Sequence, residues 1–279
     1  MIKINLITLD KPKKNKLYEI MSITKGAVGL AFLCNSSINL NTKLENTSIT
    51  LEEALCHQTG LQNDESFNYK EYMEYSKNQN VYQYAKNIFL EDYHSNYVTS
   101  KYEYNNIVWR LLIEYYKNIT GIKPSDFLIT IDGLSNLEFI RDNNDKGLMH
   151  GLNGILMSCE MIKSYAFWAK TILIKNKSNL LKYKPIHKNT WVSKVIDNNK
   201  INIHPFFGWF IIAKKDCSKL PIVAISIGFM SQFICIDLFS NFETGIQLRD
   251  PYWKDFSKKS HEYAKNYVNN IVMLNCDVK

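Results

Sequence analysis

Ser22 and Lys25 stand three residues apart in Ser22-Ile23-Thr24-Lys25, at the mouth of an apolar run over 26–34. One helical turn puts residues so spaced on the same face, which predicts a hydroxyl and an amine side by side at the start of a buried helix. That pairing suits nucleophilic catalysis. A serine hydroxyl attacks poorly until a neighbour takes its proton, and a lysine in an apolar, partly dehydrated place can lose its own proton and become that neighbour. Taken alone the tetrad also has a plainer reading, with Ser22 as a helix cap and Lys25 as a snorkelling surface side chain. A second element, Tyr104-Asn105-Asn106, precedes another apolar helical run. A tyrosine there can point into a cleft while the Asn106 amide fixes its neighbours; in a chain with 17 tyrosines, Tyr104 can equally pack and Asn106 cap.

The elements that must hold these residues are legible in outline. The run 26–34 is apolar on every side, as in a helix at the centre of a domain. Residues 2–9 read as a strand and 11–16 as a polar connection. Thr50, three residues ahead of Glu53, marks a capped helix start within 48–55, with Gly60 as its stop. The stretch 64–100 is polar, tyrosine-rich and weakly helical, and is expected as a helical lobe over the site. Asn105 or Asn106 caps a helix over 107–118, in which Val108, Leu111, Leu112 and Tyr115 keep helical period and Gly121 is the stop. Another helix is predicted over 159–174. Residues 175–200, rich in lysine and asparagine without periodicity, are expected as a mobile surface insertion. Apolar segments at 206–213, 221–228 and 232–237, with 244–248, form a plausible antiparallel series. An amphipathic helix over 257–274 closes the chain, packing on the sheet through Tyr263, Tyr267, Ile271 and Leu274. The pattern is α+β: one domain of an antiparallel sheet flanked by helices, with a helical lobe at about 50–175 and a sheet lobe from the N-terminal segment and about 201–279.

Composition narrows the function classes. A chain of 279 residues with 46% hydrophobic residues buries a sizeable core without disulfides or metal. The net charge of +7 is spread over single lysines and short pairs, the mark of a solvated basic surface rather than a nucleic-acid site. The six cysteines form no Cys-x-x-Cys pair and read as buried thiols in a reducing compartment. The N-terminus lacks the apolar stretch of a signal peptide, and no segment reaches the ~20 apolar residues of a membrane span, so the expectation is a soluble, cytoplasmic protein with no membrane partner. His57 and His204 each lack a carboxylate or cysteine at ligand spacing and are expected to be structural, not metal ligands. Asp132 and Glu138 have no partner that the sequence identifies.

Several ordered motifs resemble the serine β-lactamase and penicillin-binding-protein superfamily, in particular its class C β-lactamase-like and esterase branch. Tyr18-Glu19-Ile20-Met21-Ser22-Ile23-Thr24-Lys25 is similar to the first motif of that family, with an apolar lead into the nucleophile helix. The segment 51–61, ending His57-Gln58-Thr59-Gly60-Leu61, resembles a helix ending in H-T-S-G-L, and Tyr102-Glu103-Tyr104-Asn105-Asn106 the second motif. Residues 154–161 resemble G-G-L-x-M-T-A-x, Phe207-Gly208-Trp209-Phe210 a Y-G-x-G-W strand, and Gly228-Phe229-Met230-Ser231-Gln232 G-F-G-G-Q. The resemblance implies a β-lactamase/transpeptidase-like fold and acyl transfer. Ser22 would be the nucleophile, Lys25 and Tyr104 would move its proton, and Asn106 would orient lysine and substrate. The amides of Ser22 and Phe229 would hold the oxyanion, with no metal or organic cofactor.

The departures concern recognition more than chemistry. Where the third motif usually offers K-T-G or H-x-G, this chain has Ser226-Ile227-Gly228. Gly228 still allows close approach of a substrate backbone, but no cation stands at Ser226 to hold a carboxylate, so a small neutral ester or amide is the expected substrate. Ser226 reads equally as an ordinary strand residue. Gln58 and Thr59 replace T-S, Met230 and Ser231 replace small glycines, and only about twenty residues precede Ser22. The resemblance therefore implies a shortened N-terminus without the first helix and at least one strand. An active serine hydrolase and a catalytically degenerate homologue with a binding or structural role are both consistent with this pattern.

Overall fold

The computed structural model describes residues 3–8, 16–20, 22–62, 81–139, 155–187, 190, 192, 201–215, 221–228, 232–238, 243–248 and 266. The helix expected over 257–274, except Asn266, and the amide of Phe229 lie outside these.

The main sheet is built from β1 (Lys3–Thr8), β5 (Ile201–Phe206), β6 (Trp209–Lys214), β7 (Pro221–Gly228), β8 (Gln232–Asp237) and β9 (Glu243–Leu248), in the order β1-β9-β8-β7-β6-β5. From β5 to β9 neighbours run antiparallel, as expected. β1 departs from this: it joins β9 in parallel, Lys3 opposite Glu243 through Thr8 opposite Leu248. All eight residues of β7 are buried, and they divide by alternation. Ala224 faces the helical core with Ile211 and Ile234, while Val223, Ile225 and Ile227 face a second cluster with Phe210, Ile212 and Phe233. A strand covered on both faces reads as a continuous apolar run, which is how 221–228 appears in the sequence.

Two expectations need correction here. The segment 206–213 is not one strand but the end of β5, a two-residue turn and β6. Phe207 (φ 47°) and Gly208 (φ 76°) both occupy the left-handed region, the backbone of a tight hairpin turn whose twist matches the strands. A phenylalanine in the first turn position conceals the turn signal that Asn-Gly would give. The 175–200 stretch is also no loose insertion over its described part. It makes a short 3-10 turn at Lys177–Asn179, buries Leu180, Ile186 and Val192, and donates the Ile186 N–H to the Ile203 carbonyl at 2.8 Å. Its apolar residues are too sparse to show a period, yet Leu180, Ile186 and Val192 land in the core.

Helix α1 (Ile23–Cys34) is buried without interruption from Ile23 to Phe32. It reaches the sheet so closely that a methyl on Gly29 would stand 2.1 Å from the Phe207 carbonyl oxygen. The hairpin turn is held from the other side by α2 (Leu51–Leu55): Gly208 N–H donates to Leu55 O at 3.1 Å, and Phe207 N–H to Cys56 Sγ at 3.4 Å. α2 begins with the expected Thr50/Glu53 capping box but stops at Leu55, ahead of Gly60. α3 (Val81–Asn96) packs on α4 (Asn106–Thr120) and is tied to the loop before α2 by the Tyr82 hydroxyl on Glu45, a 2.5 Å Lys86–Glu45 ion pair and Tyr93 on Ser48. α4 is capped by Asn105, whose side chain accepts the Val108 N–H, and ends at Gly121 (φ 75°). A short α5 (Pro124–Leu128) follows, and α6 (Cys159–Lys175), capped by Ser158, packs against β8. A small second sheet joins β2 (Tyr18–Glu19), β4 (Ile155–Met157) and β3 (Glu138–Phe139) in that order. It was not anticipated from sequence.

Candidate active site

The approach to Ser22 is set by the small sheet. Tyr18 and Glu19 pair with Met157 and Leu156, and the Ile20 N–H donates to the Ile155 carbonyl at 3.1 Å. The chain then turns into α1 with Ser22 at the N-cap (φ −64°, ψ −6°), where its side chain makes no capping bond. The hydroxyl is engaged elsewhere: Lys25, one turn on, donates from Nζ to Ser22 Oγ at 3.1 Å. Lys25 is 1% exposed, which rules out the snorkelling reading. Its place is fixed by contact with the hairpin turn, since a methyl on Gly208 would stand 2.6 Å from the Lys25 carbonyl and one on Gly26 2.8 Å from Trp209 Nε1. Trp209 in turn donates its indole N–H to the Gly26 carbonyl at 3.2 Å.

Tyr104 arrives from a separate segment and donates its hydroxyl to Ser22 Oγ at 2.9 Å. The Lys25 Nζ lies 5.2 Å from the centre of the Tyr104 ring, within range of a cation–π contact. The segment carrying Tyr104 is laced to the turn after α2: Gly60 N–H donates to Lys101 O at 2.8 Å and Glu103 N–H to His57 O at 2.9 Å. Asn106 is the first residue of α4 and half-buried; the capping belongs to Asn105.

His57 is the residue whose part the sequence did not disclose. It is structural in the sense expected, but within the site rather than away from it. Its imidazole is 3% exposed and stacks on Tyr104 with ring centres 4.6 Å apart and planes at 23°. Asn105 N–H approaches Nδ1 at 3.2 Å and the Trp109 indole N–H approaches Nε2 at 3.0 Å. Burial, and secondarily the charge of Lys25, pushes its pKa down to about 3. The available signal was its place in the 51–61 motif, but the ring partners come from residues 102–109 and meet it only in the fold.

Ser226 is fully buried, its hydroxyl has no hydrogen-bond partner among the described residues, and a methyl on Gly26 would stand 2.9 Å from its Oγ. It packs on α1 as a core strand residue does, because strand alternation turns its side chain towards Gly26. Gly228 is the last residue of β7, opposite Gln232, and is buried. His204 lies apart, with Nδ1 2.7 Å from the Tyr183 carbonyl. Cys56, Cys159 and Cys235 are buried thiols and Cys34 is half-buried; burial raises the pKa of each. Among the described residues no three His, Cys, Asp or Glu side chains group as metal ligands, and no helix is long and apolar enough to cross a membrane.

One hydroxyl at a helix N-terminus sits within hydrogen-bond reach of both an amine and a phenol, an arrangement that can support proton transfer to and from a nucleophile.

No protein-family model and no curated protein matches the sequence. Solved structures do match. A penicillin-binding protein from Bacillus halodurans superposes with a TM-score of 0.57 at 11% identity, over 93% of this chain and 89% of the other. A β-lactamase/D-alanine carboxypeptidase from Yersinia pestis gives 0.58 at 14% identity, over 95% and 86%. A Bacillus anthracis protein assigned as a 6-aminohexanoate-dimer hydrolase gives 0.55 at 14% identity, over 96% and 75%. The chain thus has the α+β fold of the serine β-lactamase and penicillin-binding-protein superfamily.

Proposed function

We propose that this chain, with the fold of serine β-lactamases and penicillin-binding proteins, is a serine hydrolase that cleaves a small neutral ester or amide through an acyl-enzyme. The observation that carries the proposal is the convergence of Lys25 Nζ and Tyr104 OH on Ser22 Oγ, at 3.1 and 2.9 Å. Ser22 Oγ attacks the carbonyl carbon, and as the C–O bond forms the hydroxyl proton passes to the Lys25–Tyr104 pair, which acts as the base. The carbonyl oxygen takes up the negative charge, and the amides of Ser22 and Phe229, with the positive end of α1, stabilise it. The intermediate collapses as the leaving alcohol or amine receives that proton. A water then attacks the acyl group, giving a proton to the same pair, and Ser22 Oγ leaves and recovers it. Asn106, at the start of α4, serves to orient the substrate.

The neutral substrate follows from the sheet side. The position at which a cation would hold a carboxylate is Ser226, a neutral side chain buried against Gly26. Penicillins and peptide C-termini lose that anchor, and slow or absent acylation by benzylpenicillin is expected.

A nitrophenyl acyl ester tests the proposal. The expected result is a burst of nitrophenol, an acyl mass increment on the peptide containing Ser22, and loss of both in Ser22→Ala. A folded preparation that neither acylates at Ser22 nor turns over any ester or amide in a broad panel would refute the hydrolase reading and leave a binding or structural role for the fold.

A further inference from the structure

The Tyr104 side chain has one heavy atom to place on Ser22 and a torsion about Cα–Cβ along which it can swing away. A phenol that acts as a proton carrier must be held to within a fraction of an ångström, because a misplacement of ~1 Å can cost ~100-fold in rate. The residue in face-to-face contact with the phenol is His57, stacked at 4.6 Å and 23°.

His57 is itself fixed from several directions. Its backbone is in the left-handed region at φ 53°, a conformation that is costly for a non-glycine residue and persists only where the surroundings impose it. Its carbonyl accepts the Glu103 N–H at 2.9 Å, and its two ring nitrogens face the Asn105 N–H and the Trp109 indole N–H. One residue therefore contacts positions 103, 104, 105 and 109, both sides of the phenol along the chain and the first turn of the following helix.

The same contacts require the ring to be uncharged. A neutral imidazole carries a lone pair on one nitrogen and a proton on the other, so it accepts from one of these two donors at a time. A protonated ring accepts from neither, would set two N–H groups against two N–H donors, and would bury a cation beside Lys25 without a counter-charge in these contacts.

We propose that His57 is a positioning residue for Tyr104, a neutral clamp that sets the phenol hydroxyl on Ser22. The inference rests on the acyl-enzyme reading for its kinetic consequence, but the clamp itself is a statement about geometry.

Two variants divide its contacts. His57→Phe keeps a flat ring for the stack and removes both acceptors. His57→Asn tolerates the left-handed backbone and restores an acceptor near Nδ1 while removing the stack. With a nitrophenyl acyl ester, each is expected to slow acylation of Ser22 ~100-fold at nearly unchanged KM. In protein labelled with 13C at tyrosine Cζ, the Tyr104 resonance, assigned through Tyr104→Phe, is expected to move more than that of any other tyrosine except Tyr102, whose ring is 6.0 Å from His57. Wild-type acylation rates in both folded variants, or slower rates with the Tyr104 resonance unmoved, would overturn the proposal. Should the wild type fail to acylate at all, the hydrolase reading falls, and the Tyr104 resonance alone decides the clamp. Should neither variant fold, the 15N shifts of the wild-type imidazole decide instead: a neutral ring throughout about pH 4.5 to 8 supports the clamp, and titration within that range excludes it.

Discussion

On the helical side of the site, the hydroxyl of Ser22 accepts from Lys25 and Tyr104, and Tyr104 is backed by His57, whose ring nitrogens both face donors. On the sheet side, the side chain of Ser226 is fully buried but its hydroxyl has no partner among the described residues. A buried, unpartnered hydroxyl costs ~1–3 kcal/mol, so no hydrogen-bond network pins Ser226 as one pins Tyr104. On the proposed reading, the groups that would move a proton come from α1 and the segment before α4, while the groups that would recognise a charged substrate come from β7. Because they lie on different elements, a sequence can alter the second without disturbing the first.

The largest effects should fall on the helical side. Tyr104→Phe removes one oxygen and keeps the ring on His57, so turnover of an activated ester should drop ~100- to 10,000-fold, the usual contribution of a positioned acid or base, with little change in thermal midpoint. Lys25→Ala should lower the rate over the same range, though with some loss of stability because the side chain is buried. Rates close to wild type in both variants would erase the contrast between the two sides.

A smaller effect concerns pH. With its pKa pushed from 6.5 to about 3, His57 stays neutral in the folded chain and protonates in the unfolded chain once pH falls below ~6.5. Its contribution is complete above that value and is lost progressively as pH drops towards 3, at ~1.4 kcal/mol per pH unit. The groups facing it are Lys25, Tyr104, Tyr102 and Trp109, none of them a carboxylate. Urea denaturation should show the stability gap between wild type and His57→Asn narrowing by ~2–3 kcal/mol from pH 7 to pH 4.5. An unchanged gap would mean that the ring is not held neutral by its surroundings.

The smallest effect on turnover is expected on the sheet side. Ser226→Ala deletes an unpartnered hydroxyl, so stability should hold or rise by up to ~1–3 kcal/mol, and ester turnover should stay within about threefold of wild type, less than one good hydrogen bond would contribute. A large fall in turnover without loss of stability would make Ser226 a substrate contact and weaken the distinction between the two sides.

Particular residues show how much of this was legible in the chain. The Thr50/Glu53 box, the Asn105 cap and Gly121 stop of α4, the continuous burial of α1 and the all-apolar β7 could be read because each depends on neighbours within a turn or on alternation along one strand. The β5–β6 turn was missed because Phe207 carries a left-handed backbone without a turn-forming side chain, and the parallel seat of β1 because nothing local states which edge a strand joins. The packing of Leu180 and Ile186 was missed for a similar reason, since isolated apolar residues have no period.

The site divides along the same line. By itself the sequence determined that Ser22 and Lys25 share a helix face, because a spacing of three is a distance once the helix is granted, and that Ser226 brings no cation to β7. Only the tertiary structure decided that the Tyr104 hydroxyl, 82 residues from Ser22 along the chain, lies 2.9 Å from it, that His57 backs the phenol, and that Ser226 faces Gly26. Those facts depend on how α1, the turn after α2 and the hairpin at Gly208 come together, through close approaches between segments far apart in the chain.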